Sequence, residues 1–547
     1  MKKRVGQYLL DCLRVNGLER IFGVPGDFNL AFLDDIIADK QIEWVGNTNE
    51  LNASYASDGY ARLHGLAAMV TTFGVGELSA VNGIAGSYAE RVPVVEITGA
   101  PTRQSEAQKR YVHHSLGEGR FDNYQKIYEH ITATTAYITT ENAQDEIPRV
   151  INTALRERRP VHIHLPIDVA MSTIEIKRAP VAYQHQSQPV TAYLDAIQQA
   201  LATAKRPVII AGHEITAYQL QEQLEAFVNK TKIPLAQLSL GKSAFNEENP
   251  YYIGIYDGRV AEDSIRNYVD GSDCILNIGA KLTDSATTGF SYQFDLNDLI
   301  LINQRDFKAG DLVSHDVSLV DLMDGLLTID YENQAAFPAI KPAASPIVEL
   351  SDQPLTQKDY FKLMQNFLQA GDVLLAEQGT SFFGAYDLRL PKGSRFVGQP
   401  LWGSIGYTLP SLLGTQVADP KRRNILLIGD GSLQLTVQEM ATMIRLKLNP
   451  IIFMINNDGY TVERLIHGMQ APYNDIFMWD YKALPKAFGD KGHVITYDVT
   501  TSRELQTVMD QVTADPAHMH FIEVHMDRND SPEKLIAMAE MFAQANQ

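Results

Sequence analysis

Cysteine is scarce in this chain, with only Cys12 and Cys274 among 547 residues. Two thiols cannot build a disulfide framework, which excludes the stapled secreted scaffolds and points to a reducing cytosol. Positive charge is also in deficit, 47 Lys and Arg against 66 Asp and Glu, for a net charge of −19. Nucleic acid and anionic membrane surfaces repel such a chain, so neither is an expected partner. No apolar run approaches the roughly 20 residues of a membrane span. The opening "MKKRVGQYLLDCLRVNG" has the charge of a signal peptide, but Asp11, Arg14 and Asn16 interrupt its apolar stretch. These absences lead us to expect a soluble, cytoplasmic protein.

What is present is ordinary globular composition, 45% hydrophobic and 21% charged. A length of 547 residues suits three domains at about 150–200 residues each. Two proline-bearing stretches, "RAPVAYQHQSQPV" (178–190) and "FPAIKPAASPIVELSDQP" (337–354), read as linkers. They bound expected domains at 1–178, 190–335 and 355–547. Strand-like and helix-like patterns alternate in each piece, so the expected fold class is α/β, with three doubly wound parallel-sheet domains. In the middle piece "PVIIAGHE", "DCILNIG" and "LILINQ" read as strands.

The outer pieces share a plan. "AAMVTTF" runs into "GVGELSAVNGIAGSYAE" and then "VPVVEITG"; "NILLI" runs into "GDGSLQLTVQEMATMIRLK" and then "PIIFMINN". Both are βαβ units with glycines at the first turn. The first has Val75 where the third has Asp430. Leu433, Val437, Met440, Ile444 and Leu448 recur at helical spacing after the second turn. A Gly-rich turn opening a helix suits phosphate, but Asp430 would repel a bare one. A cation between them resolves the conflict, and Mg²⁺ with a diphosphate is the candidate. A turn aspartate between flexible glycines is an equal reading of the dodecamer alone.

The next strand favours the metal reading. It ends in "INN", and neighbouring parallel strands joined by a right-handed crossover end on one edge of the sheet, where ligands bind. Asp430 can supply a carboxylate, Asn457 an amide oxygen, and the "NNDGY" turn a carbonyl, most simply from Gly459.

GDG followed by 24 residues and NN resembles the thiamin-diphosphate binding motif. "WVGNTNELNASYASDGYAR" (44–62) resembles the family's segment around its catalytic glutamate, which places Glu50 in that role. "IFGVPGDFN" (21–29), "YVHHS" (111–115) and "GYTVERLIHG" (459–468) resemble signatures of the pyruvate-decarboxylase branch. The likeness covers essentially the whole chain, including "EQGTSFFGA" (377–385) and "QPLWGSIGYTLP" (399–410), and is closest to bacterial indolepyruvate and branched-chain 2-oxoacid decarboxylases.

The resemblance implies a pyrimidine-binding, a central and a diphosphate-binding domain, with thiamin diphosphate and Mg²⁺ as cofactors. It implies cofactor contacts from Glu50, Gly403, Ile405, Asp430, Gly431, Ser432, Asn457, Gly459 and Tyr460, the metal being held by Asp430, Asn457 and Gly459. Glu50, Asp27, His113, His114 and Glu463 are the implied catalytic residues, the last four forming a proton relay. The implied reaction is non-oxidative decarboxylation of a 2-oxo acid, in which the cofactor supplies the carbanion and the electron sink. Acetolactate-synthase-like carboligases share Glu50 and GDG…NN but lack the paired histidines.

For the substrate side chain the resemblance implies Phe382, Phe383, Val462, Ile466 and Met538. A Val at 462 leaves room for more than pyruvate, so a branched-chain, phenylpyruvate or indolepyruvate substrate is favoured. The last helix is expected to begin with Ser531 as N-cap and Pro532 in its first turn. A homodimer or homotetramer with active sites at the subunit interface is implied. Outside this family, "FGVGELS" (73–79) allows a nucleotide-dependent oxidoreductase, although a lone GxG is weak. A catalytically dead scaffold on the same fold is a third reading.

Overall fold

The computed structural model of the chain describes residues 1–338 and 346–545, so part of the second expected linker lies outside the described residues. Three main sheets of six, seven and six strands carry the fold. Their strands are short buried apolar runs, such as Asn424–Gly429 and Ile451–Asn456, flanked by helices. That pattern is the one expected of parallel sheets covered on both faces.

The first and third sheets are built alike. Counted along each sheet, the strand order is 2-1-3-4-6-5 in both, and all pairings are parallel. The shared plan of the outer pieces is therefore a shared topology. The middle sheet departs from the all-parallel expectation. Its strands Phe307–Ala309 and Leu312–Ser314 pair antiparallel at one edge. The cause is the tight turn Asn303–Asp306, closed by the Asp306 N–H to the Asn303 carbonyl, with Arg305 at φ +73°. A connection that short can only reverse the chain, whereas a parallel return needs a long crossover.

Compactness divides the chain into two units. One comprises Met1–His185, Gly406–Lys421 and Thr436–Leu448; the other comprises Gln186–Ile405, Arg422–Leu435 and Asn449–Gln547. In the first unit, helix Glu50–His64 begins where the Asn49 side chain accepts the Asn52 N–H at 2.7 Å, and stops at the left-handed Gly65. Its small residues let helix Thr408–Ala418 approach to backbone contact. A Cβ on Gly414 would lie 1.9 Å from the Ala56 carbonyl oxygen, and one on Gly59 would lie 2.3 Å from that of Ser411. In the second unit, Leu374, Ile425, Leu427, Phe453 and Ile522 of the third sheet anchor a core that also takes in Leu535 and Met538 of the last helix. Among the described residues, no helix is long and apolar enough to cross a membrane.

Two helix expectations are corrected. The apolar series from Leu433 to Leu448 is not one helix but two, Asp430–Thr436 and Glu439–Arg445. Tight i to i−3 bonds re-form the chain at the joint, Met440 to Val437 and Ala441 to Gln438, and left-handed Lys447 leaves Leu448 beyond the end. The last helix runs Glu533–Ala545 rather than starting at Pro532. Ser531 does not cap it: its buried Oγ has no hydrogen-bond partner, while the neighbouring Asp530 carboxylate accepts the Gln357 N–H.

Candidate active site

The second unit holds a cavity of about 320 Å³ at the carboxyl edge of the third sheet. Asp430 follows strand Asn424–Gly429 and Asn457 follows the parallel neighbour Ile451–Asn456, so the register brings both to one end. The Asp430 carboxylate is fully buried. Its Oδ1 accepts the Gly431 N–H at 2.7 Å, and its Oδ2 accepts those of Asn457 at 3.1 Å and Gly459 at 3.2 Å. Burial pushes its pKa up to about 6, against the pull of those three N–H groups. Asn457 donates through Nδ2 to Thr461 Oγ1 at 2.9 Å, which reserves its amide oxygen as an acceptor.

Glycine is required at two points. A Cβ on Gly431 would lie 2.5 Å from the Tyr460 ring, and one on Gly459, at φ +119°, would lie 2.3 Å from the Asn474 carbonyl oxygen. Gly403, Ile405, Gly431 and Ser432 line the cavity together with Gly459 and Tyr460. Gln378 and Ser381 line it too, and the buried Gln378 Oε1 and Ser381 Oγ have no hydrogen-bond partner there. A buried carboxylate, an amide oxygen and orphaned polar atoms around glycine-lined space are a donor set that fits a cation and an anionic cofactor.

The same cavity also has an apolar lining. Phe383, Val462, Ile466 and Phe542 line it, with Glu463 exposed among them. Phe382 and Met538, expected here, are absent from that wall. Phe382 is 2% exposed and packs against Tyr386 and Phe396, and Met538 is 1% exposed in the same core. Helical geometry explains the exchange: Met538 is on the inward face and Phe542, one turn on, reaches the cavity.

The first unit gathers the other expected residues. The Asn29 side chain accepts the Gly26 N–H and donates to the Val24 carbonyl, both at 3.0 Å, and this turn projects Asp27. His113 Nε2 is 2.7 Å from Asp27 Oδ2, and His114 Nε2 is 3.6 Å from Oδ1. Phe28 stacks on the His113 ring at 4.9 Å. Glu50 is the first residue of its helix, half-buried, and burial raises its pKa. A Cβ on Gly76 would lie 3.2 Å from Glu50 Oε1, so the glycine turn at 74–76 abuts this carboxyl.

That turn also decides the nucleotide reading. The Gly74 N–H, which a phosphate would need, is already taken at 2.7 Å by the fully buried carboxylate of Glu77. Sequence reasoning missed Glu77, and it missed Glu439. The latter, also fully buried, accepts from Asn47 Nδ2 at 2.9 Å and Thr48 Oγ1 at 2.7 Å, clamping the segment that leads into Glu50. The signal for Glu77 was an acid inside an otherwise apolar, small-residue helix.

Fold and site thus define an α/β enzyme that holds a charged cofactor at the carboxyl edge of a parallel sheet. Comparison with known proteins makes this definite. Residues 3–124 match the N-terminal TPP binding domain of thiamine pyrophosphate enzymes, 194–328 their central domain, and 379–524 their C-terminal TPP binding domain. The chain belongs to the thiamine pyrophosphate enzyme family. It is similar to proteins named alpha-keto-acid decarboxylase. The one from Mycolicibacterium paratuberculosis is 41% identical over 539 residues, covering 98% of this chain and 96% of that protein. The Mycobacterium tuberculosis H37Rv protein is 42% identical over 543 residues, covering 97% and 96%. The Mycobacterium leprae protein is 40% identical over 548 residues, covering 99% and 96%.

Proposed function

We propose that this thiamin-diphosphate-dependent enzyme, which decarboxylates 2-oxo acids without oxidation, acts on those with branched aliphatic or aromatic side chains in preference to pyruvate. The observation that carries the reading is that Phe383, Val462, Ile466 and Phe542 line the same cavity as Asp430 and Asn457. A side chain of several carbons buries its surface there, at about 0.8 kcal/mol per methylene, and pyruvate brings only a methyl.

The residues divide the work. Asp430, the amide oxygen of Asn457 and the Gly459 carbonyl would hold Mg²⁺, and the backbone at Gly431 and Ser432 would meet the diphosphate. Gly403, Ile405 and Tyr460 would flank the cofactor. When bound, it supplies the nucleophilic carbon and the electron sink. Glu50 holds and releases a proton at the pyrimidine ring. Its raised pKa, caused by burial, keeps that proton exchangeable nearer neutrality. Asp27, His113 and His114 pass protons among themselves, and Glu463 delivers or removes one at the reacting carbon.

The working form is a homodimer or homotetramer in the cytoplasm, with Glu50 and Asp430 of different subunits completing each site. Apo protein reconstituted with thiamin diphosphate and Mg²⁺ is assayed against a panel of 2-oxo acids. The expected ranking of kcat/KM puts branched-chain, phenylpyruvate or indolepyruvate substrates at least about tenfold above pyruvate. Pyruvate in first place overturns the substrate assignment, and no aldehyde from any acid overturns the reaction class.

A further inference from the structure

The last helix, Glu533–Ala545, brings Phe542 to the apolar wall of the cavity, yet what fixes that helix lies outside the wall. Its inward residues Leu535 and Met538 enter the core beside Phe382 and Phe383. Apolar packing of this kind is non-directional and leaves sliding and rotation of a helix weakly opposed. The short directional contacts come from one residue at the other end, beside a long bond from Arg259 to the Ala537 carbonyl at 3.5 Å and an exposed Lys358–Glu533 pair at 3.8 Å. Lys534 Nζ donates to Asp257 Oδ2 at 2.9 Å and to Asp387 Oδ1 at 2.7 Å, and lies 5.2 Å from the centre of the Tyr386 ring.

The acceptor at the centre of this group is itself held. Asp257 is 1% exposed, and its Oδ2 also accepts the Tyr386 hydroxyl at 2.9 Å. Its carbonyl accepts the Thr288 hydroxyl at 2.7 Å. The next residue, Gly289, packs on the same helix, where a Cβ would lie 2.8 Å from Met541 Sδ. Asp257 and Gly289 fall within the region matched by the central domain of the family. The helix is therefore registered by that region through a hydrogen-bonded ion cluster centred on the buried Asp257, with Asp387 on its exposed side. Such clusters add little net stability over an apolar replacement, because desolvation offsets the attraction. What they impose is geometry.

We propose that Lys534, held by Asp257 and Asp387, is a positioning residue that fixes Phe542 at the substrate end of the cavity and so sets which 2-oxo acid side chains are accepted. The proposal rests on the function assigned above, since it concerns the selectivity of that same site. From Lys534 to Phe542 the helix rises about 12 Å, and a rotation or slip at the ion cluster is carried rigidly to the ring. A central-domain carboxylate thereby takes part in substrate choice without touching substrate.

Lys534→Met and Lys534→Arg are compared with wild type in two measurements. In the apoprotein, hydrogen exchange of the backbone amides of residues 537–545 is followed by mass spectrometry. Exchange is expected to rise about tenfold or more in Lys534→Met and to stay near wild type in Lys534→Arg, which keeps both acceptors occupied. In the reconstituted enzyme, the ratio of kcat/KM for a branched-chain or aromatic 2-oxo acid over that for pyruvate is expected to fall about tenfold in Lys534→Met, with kcat on pyruvate retained. An unchanged ratio in a folded Lys534→Met protein overturns the proposal, whatever the exchange shows. Should that variant fail to fold, Asp387→Asn replaces it, because Asp387 is partly exposed and removes one arm of the cluster. A wild type inactive on every 2-oxo acid refutes the assigned function, and the exchange measurement then judges the helix anchor by itself.

Discussion

Asp430 Oδ2 accepts the backbone N–H of Asn457 at 3.1 Å, across 27 residues of sequence and one sheet crossover. The bond joins the ends of two neighbouring strands, and it holds a fully buried carboxylate where a cation can reach it.

Removing that carboxylate should therefore do two things. Asp430→Ala is expected to weaken thiamin diphosphate binding in Mg²⁺ by at least about 100-fold, because a hard cation loses its charged ligand. It should also destabilise the apoprotein by about 1–3 kcal/mol, since three buried N–H groups lose their acceptor. Isothermal titration and urea unfolding measure the two effects separately. Unchanged affinity would remove Asp430 from the metal site.

Glu50 and Glu463 should fail differently. Glu50→Gln is expected to slow hydrogen–deuterium exchange at C2 of the bound cofactor by about 10²–10⁴-fold, and turnover with it. Glu463→Gln should leave that exchange within a few-fold of wild type while lowering turnover by a similar factor. NMR of acid-quenched samples reads the exchange, and equal loss in both variants would refute the division of labour.

Mixing the two kinds of inactive chain tests the shared site. Glu50→Gln and Asp430→Ala proteins, exchanged as subunits, should regain activity towards about one quarter of wild type, the fraction of sites that random pairing makes intact. Mass spectrometry verifies the exchange. No recovery from verified hybrids would count against a site built from two subunits.

A buried acid cluster gives the pH prediction. Glu96 is fully buried between Glu77 and His162, and burial raises its pKa from 4.5 to about 7. A pKa higher in the folded state means that folding takes up a proton. The contribution is fully present below about pH 4.5 and is lost as pH rises through about 7. Glu96→Gln removes that loss, so its stability relative to wild type should rise over this window by about 1–3 kcal/mol and then level off. Urea unfolding at half-unit pH steps decides it, and a flat difference would refute it.

Close helix packing gives the last. Gly414→Ala puts a methyl 1.9 Å from the Ala56 carbonyl oxygen, where only the backbone can yield. The variant should lose about 1–3 kcal/mol, read as a lower urea midpoint. A wild-type midpoint would show that the two helices have slack.

Local pattern was enough for much of this protein. Apolar runs ending in glycine or asparagine marked the strands, and GDG…NN marked two strand ends that a right-handed crossover must bring together, because the register of a parallel pair is short-range geometry. The series from Leu433 to Leu448 misled for the same reason: helical spacing records which side is buried and is blind to a break at residues 437–438. Glu439 was invisible because its partners, Asn47 and Thr48, become partners only on folding, whereas Glu77, bonded to the Gly74 N–H three residues back, was legible as an acid in a small-residue helix. The choice between Met538 and Phe542 was likewise decided by how the last helix is seated. Leu535, Met538 and Phe542 recur at helical spacing and so share one buried side; which turn of that side meets the cavity was settled by the axial seating of the helix, with Lys534 reaching Asp257, 277 residues away, since an apolar stripe specifies burial and only directional contacts specify register.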